Sequence, residues 1–200
     1  DRVPVALATA RTRAEARSLR NVSFVEGDPA EMAFDRPFDA ITGRYVLQFQ
    51  RDPALMLRKI AAHVRPGGVI VFHELDWDGA RSSPPSLIHD QCCHWFVEML
   101  RLLGTEDRMG IKLHSTFMAA GMSAPSMRLE AVVGAGANSA DAVQLLADLF
   151  GTMSADMERL GVATAAEIGV ETLAQRMSEE VTANNSVIVG RSEIGAWARV

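Results

Sequence analysis

The chain has 200 residues, 48% of them hydrophobic, enough for one domain with a core of its own. A formal charge of −5 and an isoelectric point near 5.5 argue against sequence-independent nucleic-acid binding, which rests on basic surface. No apolar run reaches the roughly 18 residues that span a bilayer, and the charged, Arg-rich opening has no leader-peptide pattern. Cys92 and Cys93 are adjacent. Neighbouring cysteines on a helix point about 100° apart and rarely bridge, so a reducing, cytoplasmic setting is expected.

The first expected element is a helix that starts at Pro4, whose fixed φ and missing N–H suit a first turn. Leu7, Ala10 and Ala14 form its inner face, and Asp1 stands just before it. "NVSFVEGD" predicts a short buried strand over 22–25, closed by Gly27, and "FDAITGR" a second over 39–42. Asp52 and Pro53 make a helix start, followed by Leu57, Ile60, Ala61 and Val64 at helical spacing. "RPGG" is expected to stop that helix. "VIVFHE" then reads as a strand covered on both faces. Strand, helix and strand alternate, as in an α/β layer fold.

A polar loop, "ELDWDGARSSPPS", comes next. A helix is expected over 84–103, with Ile88, Cys92, Phe96, Met99, Leu100 and Leu103 on one side and Gly104 as its stop. Another spans 110–120 before Gly121, and "MRLEAVVG" reads as a strand. Asn138 or Ser139 caps a helix carrying Leu145, Leu146, Leu149, Met153 and Met157. Thr164 and Glu167 form a capping box for a helix with Val170, Leu173, Met177 and Val181 as its stripe. The chain closes on "SVIVGRSEIGAWARV", a strand or bent strand pair punctuated by Gly190 and Gly195. The whole is expected to be a single domain, with a helical cap over 82–121 and further helices over 138–183.

Chemistry concentrates at the expected carboxyl ends of strands, where open α/β sheets bind ligands. Asp1 and Asp28 stand at two such ends; either could equally be a cap or turn residue. Glu74, Asp76 and Asp78 cluster at another, where they serve either as acids at a mouth or as solvated loop residues. His73 is a candidate base or a satisfied core histidine, and Trp77 a stacking platform or part of a lid. His89 and Cys93 share a helix face, but no second cluster completes a metal set.

In order and spacing, "DRVPVALATAR", "NVSFVEGDPAEMAF", "FDAITGRYVLQFQRDP" and "LRKIAAHVRPGGVIVFHE" resemble the small-molecule branch of the class I S-adenosylmethionine-dependent methyltransferases. The resemblance implies a Rossmann-like doubly wound sheet, S-adenosylmethionine as cofactor and a small-molecule methyl acceptor. It implies that Asp1 meets the cofactor's ribose hydroxyls with Arg2 beside the adenine. It places Gly27, Asp28 and Pro29 at the adenine amine, and Gly43 and Arg44 at the methionine end. Tyr45, His73 and Glu74 are the implied candidates for catalysis. The family's first strand and glycine-rich loop would lie upstream of Asp1, so the chain is expected to be part of a longer protein, truncated at its N-terminus. Strand edges left open by that would allow a homodimer. The rival expectations are a degenerate methyltransferase fold serving as a non-catalytic partner module, and a nucleotide-dependent oxidoreductase on a related sheet.

Overall fold

The structure, a computed structural model, describes residues 2–200; Asp1 lies outside them. The described residues form seven α-helices and five strands. After helix α1 (Pro4–Ala16) come strand β1 (Phe38–Arg44), helix α2 (Pro53–Ala61) and strand β2 (Val64–Asp76). A short strand β3 (Arg81–Ser83) follows, then helices α3 (Leu87–Leu102) and α4 (Met109–Ala119) and strand β4 (Ser126–Ala135). Helices α5 (Ala140–Arg159), α6 (Ala165–Ile168) and α7 (Val170–Ala183) lead to the closing strand β5 (Val187–Arg199).

The sheet is mixed. β1 runs parallel to β2, joined through α2, while β5 lies antiparallel to β2, β3 and β4. β5 is the organising strand: its residues from Ser192 to Arg199 pair with β2, and its other edge pairs with β4 from Val187 to Trp197. Alternation sends Ile70 and Phe72 of β2 to one face, where Met109, Leu113 and Phe117 of α4 and Leu57 and Ile60 of α2 cover them. Leu75, of opposite parity, belongs to a second core with Trp77 and the inner faces of α3, α5 and α7. Helices therefore pack on both faces, as a Rossmann-like α/β domain requires.

Local chemistry explains most boundaries. Asp52 accepts the N–H of Leu55 at 2.8 Å and starts α2. Glu180 of α7 receives Ser86 Oγ at 2.6 Å and the N–H groups of Leu87 and Ile88 at 3.1 and 3.0 Å, so one helix caps the start of another. The capping box at Thr164 and Glu167 is present in both directions.

Several expectations change. Residues 22–25 form no strand, and Val22 and Val25 are 46% and 52% exposed. An apolar run becomes a strand only when a neighbouring edge receives it, and among the described residues β1 pairs with β2 alone. "RPGG" does not stop α2, which ends earlier at Ala61; it lies inside β2, where Gly67 at φ 76° accompanies a register shift against β1. The capping box opens a helix of four residues, because Gly169 in the left-handed region breaks it from α7. Ser139 precedes α5, but its hydroxyl donates to the Gly136 carbonyl at 2.8 Å instead of capping. Segment 82–121 also divides, with α3 in the second core and α4 under the sheet.

Candidate functional site

The turn after β1 is a tightly constrained piece of backbone. Tyr45 has φ 54°, a left-handed conformation that costs a non-glycine residue roughly 1–3 kcal/mol. Its N–H donates to the His73 carbonyl at 2.9 Å, extending the β1–β2 ladder by one residue. Beyond it, the N–H groups of Val46, Leu47 and Gln48 donate to the Glu74 carboxylate at 2.9, 2.8 and 3.3 Å. Glu74 is fully buried, and burial, the largest influence on it, raises its pKa despite those donors. This corrects the expectation of a base at the mouth: the carboxylate faces backbone, and no acceptor can reach it.

Above the turn lies a cluster of charge. Glu193 of β5 receives Arg44 Nη2 at 3.3 Å and His73 Nε2 at 3.4 Å on one oxygen, and Arg191 Nη2 at 3.4 Å on the other. Arg44 also donates to the Tyr45 hydroxyl at 2.7 Å, and the Tyr45 ring stacks on His73 with centroids 5.8 Å apart. Burial, the largest cause, and Glu193 beside it raise the Tyr45 pKa, so the phenol keeps its proton at neutral pH. Strand register builds this cluster, since Arg44 pairs with His73 and His73 with Gly195. Neither Arg191 nor Glu193 was expected from the sequence. The available signal is two charged residues within the apolar closing strand, where a charge demands a partner.

The other expected contributors sit around Asp28. One of its oxygens accepts the Ala30 N–H at 2.9 Å, and the other lies 3.5 Å from Arg2 Nη1. Gly27 has φ 148°, and a Cβ there would meet Met32 Sδ at 3.1 Å. A hollow of about 660 Å³ is lined by Gly27, Pro29, Met32, Phe34 and Phe38. A cleft of about 270 Å³ adjoins it, sharing Pro29, Phe34 and Phe38 and continuing to Thr42, Gly43 and Val46. Gly43 is needed for packing: a Cβ there would lie 2.2 Å from the Phe72 ring. The Asp1 position, expected at the ribose, is outside the described residues.

Among the described residues no group of three or more His, Cys, Asp or Glu could hold a metal ion, and no helix is long and apolar enough to cross a membrane. His89 and Cys93 do meet, with Nε2 and Sγ 3.7 Å apart, but the other ring nitrogen binds Asp90 at 2.9 Å. Burial, the main cause for each, pushes the Cys92 and Cys93 thiols up to about 12.

Pro29, which follows the glycine–acid turn, and Gly43 and Val46, which flank the strained Tyr45 turn, line one cleft at the edge of an α/β sheet, a place where such folds bind ligands. A methyltransferase-domain family profile matches residues 1–121, and the chain belongs to this methyltransferase family, whose cofactor is S-adenosylmethionine. The chain is 31% identical over 113 residues to the cypemycin N-terminal methyltransferase of a Streptomyces species, a match covering 51% of this chain and 43% of that one. It spans less than half the length of the curated relatives it matches. In fold it is similar to a solved protein structure from Bacillus halodurans, at TM-score 0.58 and 17% identity over 98% of this chain and 79% of that one. It is also similar to the Haemonchus contortus phosphoethanolamine N-methyltransferase 2 solved with S-adenosyl-L-methionine, at TM-score 0.52 and 14% identity over 97% and 41%.

Proposed function

We propose that this chain transfers a methyl group from S-adenosylmethionine to a small-molecule acceptor. The observation that carries the reading is that Pro29, next to Asp28, and Gly43, next to Arg44 and Tyr45, line one cleft. Both groups of residues fit the cofactor's chemistry. A half-buried carboxylate beside a glycine can accept from an adenine amine, and Pro29, Met32 and Phe34 offer an apolar wall to the ring. Asp1 is assigned to the ribose, Arg2 to the adenine edge beside Asp28, and Gly43 and Arg44 to the path toward the methyl group.

When bound, the cofactor supplies an already activated methyl on sulfur, so the protein's work is placement and exclusion of water. Glu74 is a positioning residue: it holds the backbone of residues 46–48 and, through it, the strained Tyr45. Tyr45, protonated, orients Arg44 and screens the mouth. His73 is the side chain placed to take a proton from an acceptor, its Nε2 steadied by Glu193.

Calorimetry with S-adenosylhomocysteine tests the reading. The chain should bind it, and Asp28→Ala should weaken binding by about tenfold or more, the worth of one charged hydrogen bond. Unchanged affinity in the variant removes Asp28 from the site. No binding by the unaltered chain removes the enzymatic reading and leaves a non-catalytic module on the same fold.

A further inference from the structure

Between β5, α3 and α5 lies a cavity of about 30 Å³ lined by Trp77, His89, Cys93, Leu146, Arg191 and Glu193 among others. That volume suits about two waters or one small functional group. Two of its lining residues carry buried donors without a partner among the described residues. Trp77 is 4% exposed and its Nε1 makes no hydrogen bond; Arg191 Nε makes none either. A buried donor left unmade costs roughly 1–3 kcal/mol, and two in one small cavity point to an absent acceptor. The Arg191 guanidinium lies 5.7 Å over the Trp77 ring, and its carboxylate contact is a long one, 3.4 Å, to Glu193.

The donors give the chemistry of that acceptor: an indole N–H and a guanidinium N–H. Glu193 is shared between Arg44 and Arg191, two guanidinium groups on one carboxylate. His89 is already tied to Asp90 through Nδ1, and both cysteines remain protonated thiols. Arg191 is the one guanidinium lining the cavity, next to an indole N–H, and its carboxylate partner Glu193 is divided between it, Arg44 and His73. A carboxylate matches this pair of donors: one oxygen can take the indole N–H and the other the Arg191 Nε–H.

Resting on the methyl-transfer reading, we propose that this cavity is an acceptor subsite that grips a carboxylate of the methyl acceptor. The same Glu193 whose one oxygen faces Arg191 faces Arg44 and His73 with its other. The carboxylate is thus held on the far side of Glu193 from the turn assigned to the methyl group, so it is a handle and a second atom of the acceptor is the one methylated.

The test uses indole N–H nuclear magnetic resonance on the full chain, with Trp77→Phe assigning the signal. Sodium acetate should move the Trp77 indole resonance saturably, while acetamide and sodium chloride should not. Arg191→Gln should weaken the acetate response by about tenfold or more, as expected for loss of a charge-assisted bond. In case that variant fails to fold, Trp77→Phe keeps the ring stacked on Phe96 and should weaken acetate binding read from the acetate methyl line width. No response to acetate, or an equal response to acetamide, overturns the proposal. S-adenosylhomocysteine titrated into the same sample separates the two readings. If it binds beside acetate, both stand. If it binds and displaces acetate from Trp77, the carboxylate is the cofactor's own and the acceptor subsite falls. If acetate binds and the nucleoside does not, the methyl-transfer reading falls and takes the acceptor assignment with it.

Discussion

Replacing Glu74 with alanine removes the acceptor of three backbone N–H groups at a position with no solvent exposure. Two of the bonds are short, at 2.9 and 2.8 Å, and the third is weak at 3.3 Å. Bonds to a charged acceptor contribute about 1.5–3 kcal/mol each, and orphaned buried donors cost about 1–3 kcal/mol each. The cost of keeping the carboxylate dry, visible in its raised pKa, offsets part of this. Glu74→Ala should therefore lose about 3–5 kcal/mol in urea unfolding followed by circular dichroism. Glu74→Gln keeps the Oε1 bonds to Val46 and Leu47 and loses only the weak one, so it should lose about 1 kcal/mol near neutrality. The pH dependence has a definite sign. A folded-state pKa above the unfolded value gives stability that is complete below the ordinary carboxylate range and lost as pH rises through the raised value. Glutamine does not titrate, so the advantage of the parent over the Glu74→Gln variant should shrink from acid toward neutral pH. An alanine variant within about 1 kcal/mol of the parent, or a gap that widens with rising pH, would refute the anchoring role.

At Gly43, an added Cβ lies 2.2 Å from the Phe72 ring, so Gly43→Ala should cost about 1–3 kcal/mol through overpacking; calorimetry with an unchanged Tm would contradict this. Cys92 and Cys93, with thiols pushed up to about 12, should resist iodoacetamide in the folded chain at about pH 8 and react once unfolded; rapid labelling of the native protein would show the second core to be open.

Local signals carried far in this chain. The Asp52 cap, the capping box at Thr164 and the Cys92, Phe96 and Met99 stripe of α3 are sequence patterns whose physics is complete within a few residues, and they form where expected. Expectations that needed a distant partner did less well. Residues 22–25 have strand composition, but composition cannot supply an edge to pair with. β3 hides in a polar loop because its pairing comes from Val187, Ile188 and Val189, about a hundred positions later. Glu74 looked like a mouth residue because an acid at a strand end is usually one. Only the fold shows that the 3-10 turn over Leu47–Phe49 and the residue before it lay their N–H groups across it. His73 and Glu193 are joined by strand register alone, across 120 positions of sequence, so no spacing rule links them.

Strand register also explains why the site can be rigid on a sheet edge. A Tyr45 backbone strained by about 1–3 kcal/mol would relax unless its neighbours held it, and β1 has only one paired edge among the described residues to help. The hold comes from below. β2 is locked between β1 and β5, Glu74 projects from it into the core, and its charged bonds to residues 46–48 outweigh the strain. The upper face of the same strand pair carries His73 and, across the ladder, Glu193, so the anchor beneath and the charges above are fixed by one set of strand hydrogen bonds. A substitution that slipped β5 by a single residue would turn Glu193 to the opposite face and leave Arg44, Arg191 and His73 without their common partner, and it would turn Ile194, Ala196 and Ala198 out of the core beneath α4.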